Sequence, residues 1–307
     1  MNNSIKRLYW KLKYKLYIIL KVRLPQVCFL LFRIRKDFPD KKFMIIYVGD
    51  PKLGALAYIQ SIAHQVKYSY EKGYIPIVDM KNYRSAIAPI HYKKNAWELY
   101  FMQPSGYSME DIRNARYVKY ISEKEIREAM RINLDKRDIE SYIKYTSEIS
   151  KCIEKEIDNV LKGEEKVLGV IARGTDYLLP VNGMRHVDID YFLGIVEHIK
   201  NEQGYSKIFL ATEDSSFLEK FISKFENVLY IKDWRTTIEN ERYQFVSDKW
   251  INEGVDIYEK NKNYIIAVNV LRQLDSIVSN AECNAAEFAI KYNINNRMKI
   301  SKIYTEA

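Results

Sequence analysis

Six consecutive apolar residues, Phe43-Met44-Ile45-Ile46-Tyr47-Val48, run into Gly49-Asp50-Pro51. A short apolar run bounded by turn formers reads as a buried strand. From Leu53 to Glu71 the apolar period becomes helical, with Leu56, Ile59, Ile62, Ala63 and Val66 on one face and Gly73 as the stop. Tyr74 to Met80 then reads as a second strand. A strand, a helix and a strand in that order favour a parallel pair with a right-handed crossover. Residues 81–115 carry no clear period but hold Pro89, Pro104 and an aromatic cluster. They lead to a strand near Arg116–Ile121 and helices near Ser122–Arg131 and Arg137–Leu161. The second of these helices is long and strongly charged, and Gly163 follows it.

A new alternation starts at Lys166. Strands are expected at Val167–Ala172, Lys207–Ala211, Val228–Ile231 and Ser276–Ser279, and helices at Asp188–Lys200, Ser215–Phe225, Tyr264–Leu274 and Ala285–Tyr292. Repeated β-α alternation in both halves implies an α/β protein of two doubly wound, Rossmann-like domains facing a cleft. The expected division is a segment 1–36, a domain 37–163 and a domain 164–307. A length of 307 residues suits that count, and 47% hydrophobic with 29% charged residues is an ordinary globular composition.

Charge changes the picture at one end only. Residues 1–36 hold ten Lys or Arg and no acid; without them, 39 of the 49 basic residues remain against 40 acidic ones. The net charge of +9 therefore belongs to the amino-terminal segment. A nucleic-acid binder spreads its cations over a folded face, so no nucleic-acid partner is expected. The segment alternates its cations with Leu8, Leu12, Leu16, Ile19 and Leu20, and its apolar runs are far short of the roughly 18–20 residues of a spanning helix. It has two readings: a helix lying on an anionic membrane surface, or a solvated helix that packs its Leu/Ile stripe on the body. No secretory signal pattern is read there, so the expected location is cytoplasmic, peripheral on the inner face of the plasma membrane if the first reading holds. Cys28, Cys152 and Cys283 have neither disulfide-framework nor zinc spacing, and His64, His91, His186 and His198 form no metal motif, so no metal and no cofactor is expected.

Candidate chemistry gathers at three strand ends of the second half. Arg173 leaves the carboxyl end of the first strand, inside Ala172-Arg173-Gly174-Thr175-Asp176. That is where parallel sheets bind ligands, and a guanidinium fork matches phosphate oxygens. Taken alone, the pair Arg173 and Asp176 reads better as a strand-end ion pair with no ligand; two further strand ends reverse that reading. The second end is Leu210-Ala211-Thr212-Glu213-Asp214, and the third is Ser279-Asn280-Ala281-Glu282-Cys283 before a helix whose amino terminus is a natural phosphate seat. Asp188-Ile189-Asp190 has the form of a metal motif, but it precedes a helical run and Asp188 reads as an N-cap.

These three segments resemble the three peptide motifs shared by alpha-1,6-fucosyltransferases, nodulation fucosyltransferases and protein O-fucosyltransferases. Arg173, Thr175 and Asp176 match a His-x-Arg-Arg-Thr-Asp pattern; Leu210, Ala211, Thr212 and Asp214 match Leu-Ala-Thr-Asp-Asp; the stretch from Gln273 and Asp275 through Asn280 to Cys283 is similar to the third. The resemblance covers residues 166–292. More loosely, Gly49 and Gly54, Val78-Asp79-Met80 and Asn95-Ala96-Trp97-Glu98 resemble bacterial polysaccharide-cluster relatives. It implies a GT-B-like fold, a GDP-fucose donor, and inversion at the anomeric carbon without a required metal. Arg173 would hold the β-phosphate, Thr212 and Asp214 the nucleoside, and Asn280, Glu282 and Cys283 the phosphates. The acceptor, a glycan or lipid-linked glycan, would bind residues 37–163. The family's His is Ile171 here, its second Arg is Gly174, its paired serines are Glu282 and Cys283, and a proposed basic carboxylate falls near Val181.

An inverting transfer needs a group that takes the acceptor's proton. Glu98, in the aromatic stretch Trp97-Glu98-Leu99-Tyr100-Phe101, which suits stacking on sugar faces, is the first candidate, and Asp79, ending a strand, is the second. The rivals are a transferase for another nucleotide sugar and a non-catalytic subunit of the same fold.

Overall fold

The first four residues of the apolar run, Phe43 to Ile46, end strand β1, Asp37–Ile46, and are fully buried. The structure, a computed structural model, describes residues 9, 12–13, 15–49, 53–81, 86–89, 92–163, 166–237, 245–295 and 298–305. Asp50 and Pro51 of the expected turn, His91, and Leu8 of the amino-terminal segment lie outside them. The chain divides into two compact units, residues 1–53, 58–134 and 138–144 in the first, and 54–57, 135–137 and 145–307 in the second.

In the first unit, helix α1 (Leu24–Leu31) precedes β1, and α2 (Ala55–Glu71) leads to β2 (Ile75–Val78). Strand β3 (Ala115–Tyr120) follows, then α3 (Glu123–Ala129) and α4 (Lys136–Tyr142). The three strands are parallel in the order β2-β1-β3. Strand β1 begins earlier than its apolar run because Asp37 already pairs with Ala115 of β3, across an irregular step before Lys42. Phe38, Phe43 and Tyr107 pack edge-on, with ring centroids 5.4–5.6 Å apart.

The long helix expected at 137–161 is two helices. Thr146 starts α5 (Ser147–Val160) by accepting a hydrogen bond from Ile149 N at 3.4 Å, and the Lys144 carbonyl is taken by Met102 N at 2.8 Å. A capped start and a diverted carbonyl interrupt the ladder. Helix α5 buries Ile149, Ile153 and Val160 within the second unit, so the units part between Lys144 and Tyr145 rather than at 163.

The second unit continues through β4 (Val167–Ile171), α6 (Ile189–Gln203), β5 (Lys207–Ala211), α7 (Ser215–Lys224) and β6 (Val228–Leu229). Helices α8 (Val246–Asn252) and α9 (Ile257–Leu271), strand β7 (Ser276–Ser279), α10 (Asn284–Lys291) and β8 (Ile300–Ile303) complete it. All five strands are parallel, in the order β6-β5-β4-β7-β8. Helix α9 starts well before Tyr264 because Asp256 caps it, and its buried polar residues Lys260 and Asn261 hide the apolar period. Lys260 is buried with Asp233 as partner at 2.5 Å. The chain builds outward from β4 to β6, then returns to lay β7 on the other side of β4. The strand ends of β4 and β7 thus flank the topological switch point, where such sheets bind ligands.

Candidate functional site

Asn280, fully buried just past β7, ties the two central strand ends together. Its Oδ1 accepts from Arg173 N at 2.6 Å and its Nδ2 donates to Arg173 O at 3.0 Å. With both backbone groups of Arg173 held, its side chain leaves the sheet in one direction. Nη1 meets Glu213 Oε2 at 2.9 Å, Nη2 meets Asp176 Oδ1 at 3.2 Å, and the guanidinium stacks on Tyr177 with 4.4 Å to the ring centroid. Nε is buried and has no hydrogen-bond partner among the described residues. Burial by itself would push this guanidinium down, but Glu213 and then Asp176 overcome it and hold Arg173 above its ordinary value. It is a permanent cation with an unspent buried donor, and such a donor marks a position for a ligand or a water.

The turn after Arg173 is built for close approach. A Cβ on Gly174 would lie 2.5 Å from Asp214 Oδ2, so only glycine fits. Gly174 N donates to Glu213 Oε1 and Thr175 N to Asp214 Oδ2, each at 3.0 Å. Thr175 is held at φ 46°, a left-handed conformation that a β-branched residue adopts only under constraint. Its hydroxyl stands 3.0 Å from both Asp176 Oδ1 and Glu213 Oε1, and its single proton serves one of them at a time.

The structure brings Arg173, Thr175, Asp176, Asp214, Asn280 and Cys283 together in the second unit. Asp214 is buried and caps α7, accepting from Ser216 N at 2.9 Å and Phe217 N at 3.2 Å. Thr212 is half-buried and accepts from Asp214 N at 3.2 Å, while its carbonyl is held by Arg235 Nε at 3.1 Å. Cys283 caps α10, its Sγ accepting from Ala286 N at 3.4 Å. Burial pushes the Cys283 thiol up in spite of nearby Arg173. Glu282, beside it, is exposed. Glu213, Tyr177 and Tyr264 of α9 also face the Arg173 cation and were not singled out from the sequence. Only Glu213 carried a signal: an acid directly after a strand end, in register with a strand-end arginine.

Asp79 and Glu98 lie in the first unit and differ sharply. Asp79, just past β2, is buried, accepts from Lys81 N at 3.0 Å and receives a hydrogen bond from Tyr120. Burial outweighs both bonds and raises its carboxyl above the ordinary 3.8. Glu98 is exposed, and its Oε1 accepts from Asn95 Nδ2 at 3.2 Å and Gln103 Nε2 at 2.8 Å. The aromatic residues around it are no sugar platform: Trp97, Tyr100 and Phe101 are core, with Trp97 stacked on Phe101 at 4.1 Å. Asp188 caps α6 through Asp190 N at 2.8 Å, and Asp190 pairs with Lys220 at 2.7 Å.

No protein-family model matches the chain, and no curated protein matches it. Its structural neighbours are fucosyltransferases. The NodZ alpha-1,6-fucosyltransferase co-crystallised with GDP is 15% identical at a TM-score of 0.51, over 82% of this chain and 92% of that one. NodZ soaked with GDP-fucose matches at 14% and 0.50, over 81% and 92%. POFUT1 in complex with GDP matches at 8% and 0.50, over 86% and 99%. The chain thus has the mixed α/β, parallel-sheet fold of these structures, and the α/β class is the one that the repeated β-α alternation of its sequence implied.

Proposed function

We propose that this chain is an inverting glycosyltransferase that moves fucose from GDP-fucose to a glycan or polysaccharide acceptor, the donor bound by residues 164–307 and the acceptor by 37–163. The observation that carries the reading is Arg173, fixed at the switch point by Asn280, permanently charged and holding an unpartnered buried Nε. Structures of the same fold hold GDP and GDP-fucose, which supports a nucleoside diphosphate as the ligand of this cation.

In the proposed reaction the acceptor oxygen attacks the anomeric carbon as the bond to the β-phosphate breaks. The acceptor proton passes to the Asp79 carboxylate, and negative charge develops on the leaving GDP. A preorganised guanidinium stabilises that charge where it appears, taking the part a metal ion plays in other transferases. Asp79 suits the proton transfer better than Glu98, because a raised carboxyl holds a proton more readily and Glu98 is spent on Asn95 and Gln103.

One observation favours a second reading. Both Nη atoms of Arg173 are already paired with carboxylates, as in a closed structural ion cluster. Thermal unfolding with saturating GDP, UDP, CMP or ADP separates the readings. A ligand at about 100 times its dissociation constant adds about 2.7 kcal/mol. A rise with GDP alone, lost in Arg173→Ala, supports the proposal. A rise with UDP alone moves the donor, no rise with any nucleotide sinks the donor site, and GDP binding without turnover marks a non-catalytic subunit.

A further inference from the structure

The amino-terminal helix has two apolar faces, and among the described residues one is packed and the other exposed. A π-helical segment, Ile18–Arg23, runs into α1, in step with Pro25, which cannot supply its N–H to the regular ladder. On the inner face Val22 and Gln26 are buried, and Phe29 packs edge-on against Tyr120 of β3, with centroids 6.3 Å apart. The outer face carries Leu12, Leu16, Leu20, Leu24, Val27 and Leu31 at helical spacing, each 49–64% exposed. Phe32 and Ile34 extend it at 82% and 70%. A contiguous apolar stripe of this length on a monomer's surface marks an interaction site.

The charge beside the stripe identifies the partner. Lys13, Lys15 and Lys21 flank it, with Arg23 beyond them paired to Glu123 at 3.1 Å, and no acid occurs in residues 1–36. Where the helix ends, a cavity of about 370 Å³ opens between α1, β1 and β3. Among the described residues Arg33, Arg35, Lys42, Arg116 and Lys119 line it, with Tyr74 and no carboxylate. Lys119 alone of these five is paired with an acid among the described residues, Glu125 at 2.5 Å. Arg33 Nη1 donates to Ala115 O at 2.8 Å, but its buried Nε has no partner among the described residues. Burial and then Arg35 push the Arg33 guanidinium below its ordinary value.

We infer that the stripe and the cavity form one docking surface for an anionic phospholipid bilayer, the leucines entering the acyl boundary and the cavity taking a lipid phosphate. An amphipathic helix with a cationic border binds at the interface of such a bilayer without spanning it. Among the described residues no helix is long and apolar enough to cross a membrane. Each cation near an anionic leaflet contributes about fivefold in affinity, screened by salt. A second copy of the chain would have to place the same cationic border against itself, which charge opposes.

The test is flotation of the full chain with vesicles of phosphatidylcholine alone, or of phosphatidylcholine mixed with phosphatidylglycerol. The chain should float with the mixed vesicles only and be released by high salt. Leu20→Glu/Leu24→Glu, at exposed positions, should abolish flotation with no change in melting temperature. Lys42→Glu/Arg116→Glu reverses two cavity charges and should weaken binding by about 25-fold or more, two cations at about fivefold each. Failure to float, or equal flotation on both vesicles, overturns the inference. So does a dimer in light scattering that Leu20→Glu/Leu24→Glu dissolves without any vesicle binding. A Lys42→Glu/Arg116→Glu protein that floats like wild type removes the cavity from the surface. The GDP stabilisation of the wild type is read separately, so loss of one result leaves the other standing.

Discussion

The two units treat a buried charge in opposite ways. In the second, Arg173 is half-buried but compensated: two carboxylates, an aromatic face and a clasped backbone hold one cation in place. In the first, Asp79 is buried beside neutral donors, the Lys81 amide and the Tyr120 hydroxyl, with Lys81 as its nearest opposing charge. Compensation fixes a charge; desolvation makes it titrate. The pair teaches that surroundings decide whether a charge away from water is held fixed, as at Arg173, or pushed toward its neutral form, as at Asp79.

Removing the titrating group is the hardest blow to that contrast. Asp79→Asn should lower the transfer rate by about 10²–10⁴-fold, while leaving GDP-induced stabilisation intact. The stability effect runs the other way. The folded-state value of Asp79 is raised, so its contribution is fully present below its unfolded value and is lost as pH rises through the folded value. Asp79→Asn should therefore be the more stable protein at neutral pH, and urea titrations should show the difference closing as pH falls. In the wild type, the acid limb of kcat/KM should sit above the ordinary carboxylate range; a limb at the ordinary position would take Asp79 out of the reaction.

Arg173→Lys tests the compensated side. It keeps the charge but loses the fork, so turnover should fall by about 10²–10³-fold and the GDP melting shift should shrink. Its acid limb should not move, since Asp79 is untouched. Next in size is Gly174→Ala, which drives a Cβ into Asp214 Oδ2 and should reduce unfolding free energy in urea by about 1–3 kcal/mol. Smallest is Glu98→Gln, which keeps an acceptor toward Asn95 and Gln103; stability should stay within about 0.5 kcal/mol and turnover should hold. A large loss of turnover there would return Glu98 to the place of the base.

Much of the second unit was legible because parallel strands buried on both faces read as unbroken apolar runs. Lys207–Ala211 and Ser276–Ser279 fall where the sequence put them. What escaped had a masked period or none: α9 begins early behind buried Lys260 and Asn261, and α8 and edge strand β8 carry few apolar residues. The helix expected at 137–161 broke at Thr146, a cap that competes with helix continuation only when the Lys144 carbonyl is taken elsewhere.

Sequence by itself determined the strand-end positions of Arg173, Asp214 and Asn280, the N-cap role of Asp188, and the concentration of net charge in residues 1–36. These depend on period, local capping and counting, all of which act within a few residues. Tertiary structure alone decided that Glu213 pairs with Arg173, that Gly174 makes room for Asp214, and that Trp97 and Tyr100 are core while Leu20 and Leu24 are not. It also decided that Asp79 is buried while Glu98 is exposed. Each of these rests on which distant segments exclude water from a side chain, and no local pattern encodes that.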